Sequence, residues 1–292
     1  MKAARIHRHG GPDVITIEDI ARPEPGPGQV LVEVAATSFN PTETALRSGI
    51  LNDIVPVELP QTLGWDVAGT IAALGEGVRT HAVGDRVIGW VNGAAAEFTV
   101  AGAAEVVRAP RTLPLADAAA LPLAGLTAWQ AIETARLLPG ERILVNGAGG
   151  GIGGFAVQLA KRQGAYVIAT ASPRSRDAVK RHGADEIVDY TTTSLPEADV
   201  VLNLVGHPDP TLGKLGSRIV TAAAPVEAPP GASSTHIVAR NDPAQLAALV
   251  SLVDSGELAV DVAERRSLHE LATLHRRSEA GDIRGKVIVL PS

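Results

Sequence analysis

The sequence predicts an α/β fold built from two parts, because the spacing of its apolar residues changes near residue 113. Before this point, short apolar runs alternate with turns rich in Gly and Pro, which is typical of a small β-barrel. From Arg142 onward, strand patterns alternate with helix patterns, as in a doubly wound parallel sheet. A run of glycines at the first strand-to-helix junction of the second part supports this prediction.

Four apolar runs in the first part predict strands, namely residues 28–35, 66–71, 84–90 and 96–100. Residues 117–121 and 126–138 have helical spacing and mark the change between the two parts. Near the end of the chain, a helix over residues 267–280 and a strand over residues 285–290 are predicted, and residues 225–234 are expected to form a loop. The chain has no internal repeat.

The glycine-rich junction lies in residues 143–154, which read ILVNGAGGGIGG. A buried strand here turns through glycines into a helix, and residues 166–170 form the next strand. Backbone amides at such a turn bind the pyrophosphate of a dinucleotide. An ordinary surface turn needs one or two glycines, whereas this stretch has six. The sequence therefore predicts a dinucleotide-binding site.

The end of the second strand indicates which dinucleotide binds. Enzymes that use the non-phosphorylated cofactor usually place Asp or Glu there, where it binds the ribose 2′-hydroxyl. This chain reads TASPRSR over residues 170–176, and the first carboxylate is Asp177. A 2′-phosphate would instead meet the hydroxyl of Ser172 and the guanidinium groups of Arg174 and Arg176. NADPH is therefore predicted, although each arginine could also belong to the solvated face of the next helix.

Composition excludes several other classes of protein. The net charge of −6 gives no basic surface for nucleic acid. The absence of cysteine excludes disulfides, thiolate metal sites and cysteine nucleophiles, and neither an HExxH nor a G-x-S-x-G motif occurs. The most apolar stretch, residues 118–132, is broken by Pro122, Gly125 and Gln130, and no signal core follows Met1. We therefore expect a cytoplasmic enzyme that does not span a membrane.

Eight further motifs occur in one order along the chain: PGPGQVLVEV, FNPTET, RSG, LGWDVAGTIAALGEGV, GDRVIGW, AAALPLAGLTAWQA, GADEIVDY and RGKVIVL. With the glycine turn, they resemble the zinc-independent quinone oxidoreductase, or zeta-crystallin-like, branch of the medium-chain dehydrogenase/reductase superfamily over nearly the whole chain. The resemblance implies a GroES-like catalytic β-barrel formed by residues 1–113 and 258–292. It also implies a Rossmann NADPH-binding domain over residues 114–257, a catalytic cleft and a homodimer.

Zinc-dependent relatives carry a cysteine in the segment that matches Ser38, Phe39 and Asn40, and a histidine at the position of Trp65. Since this chain has neither ligand, no metal site is predicted. Without a Lewis acid, the hydride acceptor must already be electrophilic. A quinone or an α,β-unsaturated carbonyl satisfies this condition, because conjugation spreads the incoming charge onto an oxygen atom.

The resemblance also assigns the residues of the site. Asn40 and Thr127 are expected to face the cleft near the nicotinamide and to stabilise the developing oxyanion, with Thr127 the stronger candidate. Alternatively, Asn40 only starts the turn before Pro41, and Thr127 is only a hydroxyl at a helix start. The proton is expected from solvent, because no buried acid is evident. The cofactor is expected to contact Ala148, Gly149, Gly150, Gly151, Ile152, Gly153, Ser172, Arg174, Arg176, Tyr190, Val205, Gly206, Thr221 and Ala222.

The chain also departs from the family pattern. Ala45 and Leu51 stand where quinone-reducing relatives often carry tyrosines. Residues 190–200 and 206–217 are shorter than usual, which predicts trimmed helices and an open pocket. Two alternative functions remain at this point: an enoyl-thioester reductase of a biosynthetic pathway, and an NADPH-binding protein without turnover.

Overall fold

A computed structural model describes residues 1–52, 56 and 58–291. The chain forms two compact units, each with its own apolar core. The first contains Met1–Leu123, Asn241–Ser255 and Val262–Ser292, and the second contains Ala124–Arg240 and Gly256–Asp261. These units divide the chain at other residues than the predicted domains do, since residues 241–255 belong to the first unit. The compact units do not show where the domains of the family begin. The domain boundaries predicted from the sequence therefore stay a prediction.

The described residues form sixteen strands. In chain order they are β1 (Lys2–Ile6), β2 (Ile15–Asp19), β3 (Gln29–Phe39), β4 (Gln61–Thr62), β5 (Asp66–Leu74), β6 (Arg86–Trp90), β7 (Phe98–Gly102), β8 (Val106–Arg108), β9 (Arg142–Asn146), β10 (Tyr166–Thr170), β11 (Glu186–Val188), β12 (Val200–Asn203), β13 (Arg218–Thr221), β14 (Ser233–His236), β15 (Val262–Ser267) and β16 (Lys286–Leu290).

The α-helices of the same residues are α1 (Thr42–Ser48), α2 (Pro122–Ala135), α3 (Gly151–Arg162), α4 (Arg176–Arg181), α5 (Pro243–Asp254) and α6 (Leu271–Glu279). Short 3-10 turns lie at Pro12–Val14, Ala116–Ala120, Pro210–Lys214 and Leu268–Glu270. No helix in the described ranges is both long and apolar enough to cross a bilayer.

The first unit is built mainly from antiparallel strands, as its period-2 pattern predicts. One sheet has the order β2-β1-β4, and the other has the order β15-β16-β3-β5-β6-β8, with β7 also paired to β3. The last strand, β16, runs antiparallel to β3, and Val287 lies opposite Phe39. The end of the chain therefore becomes part of the unit that its beginning forms.

The second unit is a six-stranded sheet with the order β11-β10-β9-β12-β13-β14, in which all neighbouring strands are parallel. The predicted doubly wound parallel sheet is confirmed. Strand order reverses between β9 and β12, and ligands of such sheets bind beyond the carboxyl ends of the strands at this point. The glycine turn lies there, because it directly follows β9.

Helical cover of this sheet is sparse. Helix α3 connects β9 to β10, but residues 189–199, between β11 and β12, form no helix. Only the 3-10 turn Pro210–Lys214 lies between β12 and β13. These are the two segments for which the sequence predicts trimmed helices.

Helix α6 buries a titratable side chain in the first unit. His275 is fully buried, and its ring packs edge-on against Phe39 with 5.1 Å between the ring centroids. Within the described part of the chain, neither ring nitrogen has a hydrogen-bond partner. Burial, and then the neighbouring positive charge of Arg47, lower the pKa of His275 to about 3. The imidazole is therefore neutral in the folded protein at neutral pH.

Candidate active site

The turn after β9 is held in place by backbone and hydroxyl contacts. Gly147 has φ +91°, a conformation that favours glycine, and its N–H donates to Oγ1 of Thr170 at 2.8 Å. A Cβ atom on Gly147 would lie 3.0 Å from Cγ2 of Val205. The turn is therefore packed between the ends of two neighbouring strands.

Helix α3 begins directly after this turn, and Gly150 is its N-cap residue without a side-chain cap. The first amides of a helix have no partner within the helix and face an incoming anion. These amides belong to Gly151, Ile152 and Gly153. The helix also lies very close to the turn, because a Cβ on Gly153 would come within 2.4 Å of the carbonyl oxygen of Gly147.

A second close approach fixes the other side of the turn. A Cβ on Gly149 would lie 2.4 Å from Oγ of Ser175, whose side chain is buried. Ala148 is buried as well, and its Cα would lie 2.5 Å from a Cβ on Gly153. Bare backbone at these positions is the cradle that a dinucleotide pyrophosphate requires, so the residues present fit the predicted cofactor.

Two hydrogen-bonded amide side chains, Asn146 and Asn203, lie at the ends of the strands beside the turn, and sequence reasoning missed them. Nδ2 of Asn146, at the end of β9, donates to Oδ1 of Asn203, at the end of β12, at 3.0 Å. Nδ2 of Asn203 then donates to the carbonyl oxygens of Val205 and Ala224 at 3.0 and 3.2 Å. Asn203 is fully buried, so it fixes two loops that leave the sheet edge. An asparagine that ends an apolar strand is the sequence signal that could have indicated it.

The predicted nicotinamide contacts lie at this edge, but several of their polar groups already bond within the unit. The N–H of Val205 donates to Oδ1 of Asn203 at 3.2 Å, and the N–H of Ala222 donates to the carbonyl of Asn203 at 3.0 Å. The hydroxyl of Thr221 lies 2.7 Å from Nδ1 of His236. Gly206 is exposed. The backbone N–H groups of Val205 and Ala222 are therefore already hydrogen-bonded to Asn203.

The residues predicted to hold the 2′-phosphate follow β10. Arg174 and Arg176 are exposed, and Arg176 is the first residue of α4. Ser172 is partly buried and receives the amides of Ser175 and Arg176 on its carbonyl oxygen at 3.0 and 3.1 Å. The two arginines therefore flank a turn that is tied to Ser172.

An acidic residue that the sequence analysis did not weigh lies at the same edge. Strands β10 and β11 are parallel, and the amide of Ala171 donates to the carbonyl of Val188 at 3.0 Å, so Asp189 and Tyr190 emerge beside the turn after β10. Tyr190 is exposed. Hydrogen bonds from Thr191, and more weakly the charge of Arg176, lower the pKa of Asp189.

Thr127 also belongs to the second unit. It lies within helix α2 rather than at its start, and its side chain is buried. The alternative of a hydroxyl at a helix start is therefore wrong.

In the first unit, Asn40 belongs to a cluster of buried polar side chains that comprises Ser38, Asn40, Glu43, Asp66 and Lys286. Nδ2 of Asn40 donates to Oδ2 of Asp66 at 2.9 Å and to the carbonyl of Ser38 at 3.3 Å. Oδ1 of Asn40 accepts from Nζ of Lys286 at 2.9 Å. An amide group has two N–H donors, and both are used here. Asn40 is therefore a member of this cluster, and the expectation that it also donates to a developing oxyanion stays a prediction.

The cluster also holds buried carboxyl groups. Oδ2 of Asp66 accepts from the hydroxyl of Ser38, and its Oδ1 accepts from the amide of Leu123 at 2.8 Å. The oxygens of Glu43 accept the amides of Asn40 and Gly64 at 3.0 and 3.2 Å. The sequence made no buried acid evident, but Glu43 and Asp66 are both buried here. The cluster gives no local sequence signal, because its members are far apart in the chain, as Lys286 and Asn40 are at 246 residues.

Burial dominates the electrostatics of this cluster. It raises the pKa of Glu43 to about 8, and the nearby Asp66 adds to this increase, whereas two backbone N–H groups and Lys286 oppose it. Burial likewise lowers the pKa of Lys286, which Asp66 and Glu43 oppose. The cluster therefore places one ammonium group close to Asp66 and within electrostatic reach of Glu43, in the interior of the unit.

The cluster does not fit zinc. Ser38 and Trp65 stand where the predicted pattern requires cysteine and histidine, and no group of three or more His, Cys, Asp or Glu side chains suited to a metal occurs in residues 1–52, 56 and 58–291. Zinc sites are built from thiolate, imidazole and carboxylate ligands. Here an ammonium group already lies among the oxygen atoms.

Comparison with known families agrees with the two-part fold. Residues 26–111 match the alcohol dehydrogenase GroES-like domain. Residues 151–211 and 182–289 match two families described as zinc-binding dehydrogenases.

Two relatives show the range of similarity. The chloroplast envelope quinone oxidoreductase homolog of Arabidopsis thaliana is 38% identical over 204 residues, which cover 66% of this chain and 62% of that protein. The 2-methylene-furan-3-one reductase of Solanum lycopersicum is 32% identical over 312 aligned positions, which cover 100% of this chain and 79% of that protein. The chain matches less than two thirds of the length of its chloroplast relatives.

Two solved structures resemble the whole chain. The quinone oxidoreductase from Coxiella burnetii has a TM-score of 0.88 at 28% identity and covers 100% of this chain and 99% of that chain. The Escherichia coli quinone oxidoreductase complexed with NADPH has a TM-score of 0.87 at 25% identity and covers 100% of both chains.

Proposed function

Because the chain belongs to the quinone oxidoreductase branch of the medium-chain dehydrogenase/reductase superfamily, we propose that it is an NADPH-dependent, zinc-independent reductase of quinones or α,β-unsaturated carbonyls. The observation that carries this proposal is the glycine turn after β9, whose bare backbone leads directly into helix α3. When bound, NADPH supplies a hydride from its nicotinamide ring.

The chain holds three parts of the cofactor. The amides of Gly151, Ile152 and Gly153 bind the pyrophosphate at the start of α3, where the helix dipole favours negative charge. Ser172, Arg174, Arg176 and Tyr190 bind the 2′-phosphate, and the guanidinium groups supply charge-assisted hydrogen bonds. Val205, Gly206, Thr221 and Ala222 line the edge where the nicotinamide is expected.

Thr127 is our candidate for the hydroxyl that donates to the acceptor oxygen as negative charge develops there. The proposal of an enone or quinone acceptor rests on the absence of zinc ligands at the matched positions and on the relatives named for quinones and for a methylene-furanone. Since conjugation already polarises such an acceptor, it needs no Lewis acid. We also propose the homodimer, the predicted domains and the cytoplasmic location for this enzyme.

An acceptor panel tests the function. The purified protein is incubated with NADPH and, separately, with a quinone, an enone and an enoyl thioester, and NADPH oxidation is followed by absorbance. We expect turnover with the quinone or the enone. The variant Thr127→Val tests the role of the hydroxyl, because it keeps the volume of the side chain but removes the hydroxyl. Its kcat should be lower than that of the parent by a factor of about 10² if the hydroxyl stabilises the oxyanion. NADPH binding without oxidation by any acceptor would instead support the non-catalytic alternative, and turnover confined to the thioester would support the enoyl-thioester reductase.

A further inference from the structure

The ammonium group of Lys286 is surrounded by oxygen atoms in the interior of the first unit. Nζ lies 2.9 Å from Oδ1 of Asn40, 3.4 Å from the carbonyl oxygen of Phe39 and 3.6 Å from Oδ2 of Asp66. The side chains of Lys286, Asn40 and Asp66 are all buried. A lysine is almost never buried without a partner, so these oxygens are what makes this position tolerable.

Each contact has a separate physical effect. The positive charge compensates the buried carboxylate of Asp66, which would otherwise be strongly destabilising. The hydrogen bond to Oδ1 determines which way the Asn40 amide points, because its Nδ2 must then face Asp66. The contact with Phe39 ties the last strand to the end of β3. A metal ion acts in the same way when it neutralises and orients a set of oxygen ligands.

We propose that Lys286 is a positioning residue that serves as the built-in cation of this cluster. Its ammonium group orients Asn40 and neutralises Asp66 in the part of the fold where zinc-dependent relatives are expected to hold their metal ion. The inference deepens the proposed zinc-independent function, on which its catalytic consequence rests. Its structural consequence can be measured without any activity.

The test removes the ammonium group and returns it from solution. In Lys286→Ala, the uncompensated Asp66 should lower the thermal midpoint by roughly 10 °C. Ethylammonium can enter the space left by the side chain and donate hydrogen bonds, so it should recover most of this loss. Tetramethylammonium carries the same charge but has no N–H group, so it should not. At a temperature where the variant is folded by circular dichroism, kcat should fall at least tenfold, because Asn40, which is predicted to face the acceptor, loses the contact that orients it. Ethylammonium should restore kcat.

Two further proteins complete the test. Lys180→Ala removes an exposed lysine of α4 and should not respond to ethylammonium. Asp66→Asn/Lys286→Ala leaves neither charge buried, so it should be more stable than Lys286→Ala even if the single variant fails to fold. The proposal is overturned if the double variant is no more stable than the single variant, or if both ammonium ions act alike. It is also overturned if Lys286→Ala matches the parent in midpoint and kcat. If no acceptor is reduced by the parent, the proposed function fails, but the midpoint measurements still decide the role of Lys286.

Discussion

Replacing Gly150 with valine separates cofactor binding from folding. Gly150 has φ −86° and ψ 176°, which is extended backbone that valine adopts readily. Among the described residues other than its chain neighbours, an added Cβ would meet only the carbonyl oxygen of Gly147 within 4 Å, at 3.3 Å, and this oxygen has to give by a few tenths of an ångström. We therefore expect the free energy of unfolding to change by less than about 1 kcal/mol. The added methyl groups stand at the N-cap of α3, where the pyrophosphate is proposed to bind, so NADPH affinity should fall at least tenfold, which is about 1.4 kcal/mol.

The assay measures urea unfolding and NADPH binding on the same preparation. Gly153→Ala is the matched control, because its Cβ would lie within 2.6 Å of three backbone atoms of Gly147 and Ala148. This variant should lose stability as well as affinity, since backbone cannot rotate away as a flexible side chain can. If Gly150→Val stays folded and binds NADPH as tightly as the parent, the pyrophosphate does not bind at this turn, and the reasoning is refuted.

Three further outcomes are expected. NADPH should bind at least about tenfold more tightly than NADH, and the double variant Arg174→Ala/Arg176→Ala should narrow this difference, as measured by titration with both cofactors. Activity should survive exhaustive chelation, and elemental analysis should find no stoichiometric zinc. Stability should depend on His275 in acid: its pKa is about 3 when folded and near 6.5 when unfolded, so stability from this group is complete above pH 6.5 and falls as the pH drops toward 3. At pH 5 the loss amounts to about 2 kcal/mol, which His275→Leu should remove when urea unfolding is compared at pH 7 and pH 5.

Each of these predictions has a result that contradicts it. Equal affinity of the parent for both cofactors would contradict the NADPH assignment. Loss of turnover on chelation, with recovery on added zinc, would show that metal ligands were overlooked. For the pH dependence, the exposed His207 gives the control His207→Gln, which should keep the slope of the parent. A His275→Leu variant with the same slope as the parent would show that the imidazole does not resist protonation.

Local patterns predicted the parts of the fold whose residues are neighbours in sequence. The glycine turn, α3 and β10 follow one another within residues 147–170, so periodicity and glycine spacing were sufficient. Strand β15 was missed, because half of its sequence VAERRS is charged. Its arginines and Glu264 lie in ion pairs instead of alternating with apolar residues, as between Nη2 of Arg277 and Oε1 of Glu264 at 2.8 Å. The helix predicted over residues 267–280 begins later than expected: the 3-10 turn Leu268–Glu270 comes first, and α6 starts at Leu271.

The candidate site was predicted unevenly for the same reason. The edge of the sheet where the cofactor is proposed to bind could be predicted, because parallel strands bring their carboxyl ends to one edge whatever their side chains are. The cluster around Lys286 could not be found, because its members come from β3, α1, β5 and β16 and meet only after the chain has folded. The orientation of the Asn40 side chain depends on these contacts, which join residues that are distant in the sequence. A motif can indicate that such an asparagine is present, but only its partners show that its donors are already used.

The pairing of β16 with β3 also sets an order of events during synthesis on the ribosome. Residues 124–240 contain all six strands of the parallel sheet, so that sheet can form while the remaining residues are still being translated. Strand β3 emerges early, but its partner β16 and Lys286 are translated only after the parallel sheet, and Lys286 lies 247 residues beyond Phe39. Until then, one edge of β3 and the carboxylate of Asp66 have no partner from the end of the chain. We therefore expect the nascent chain to form its parallel sheet first, and a stop codon before residue 286 to leave the other unit unfinished.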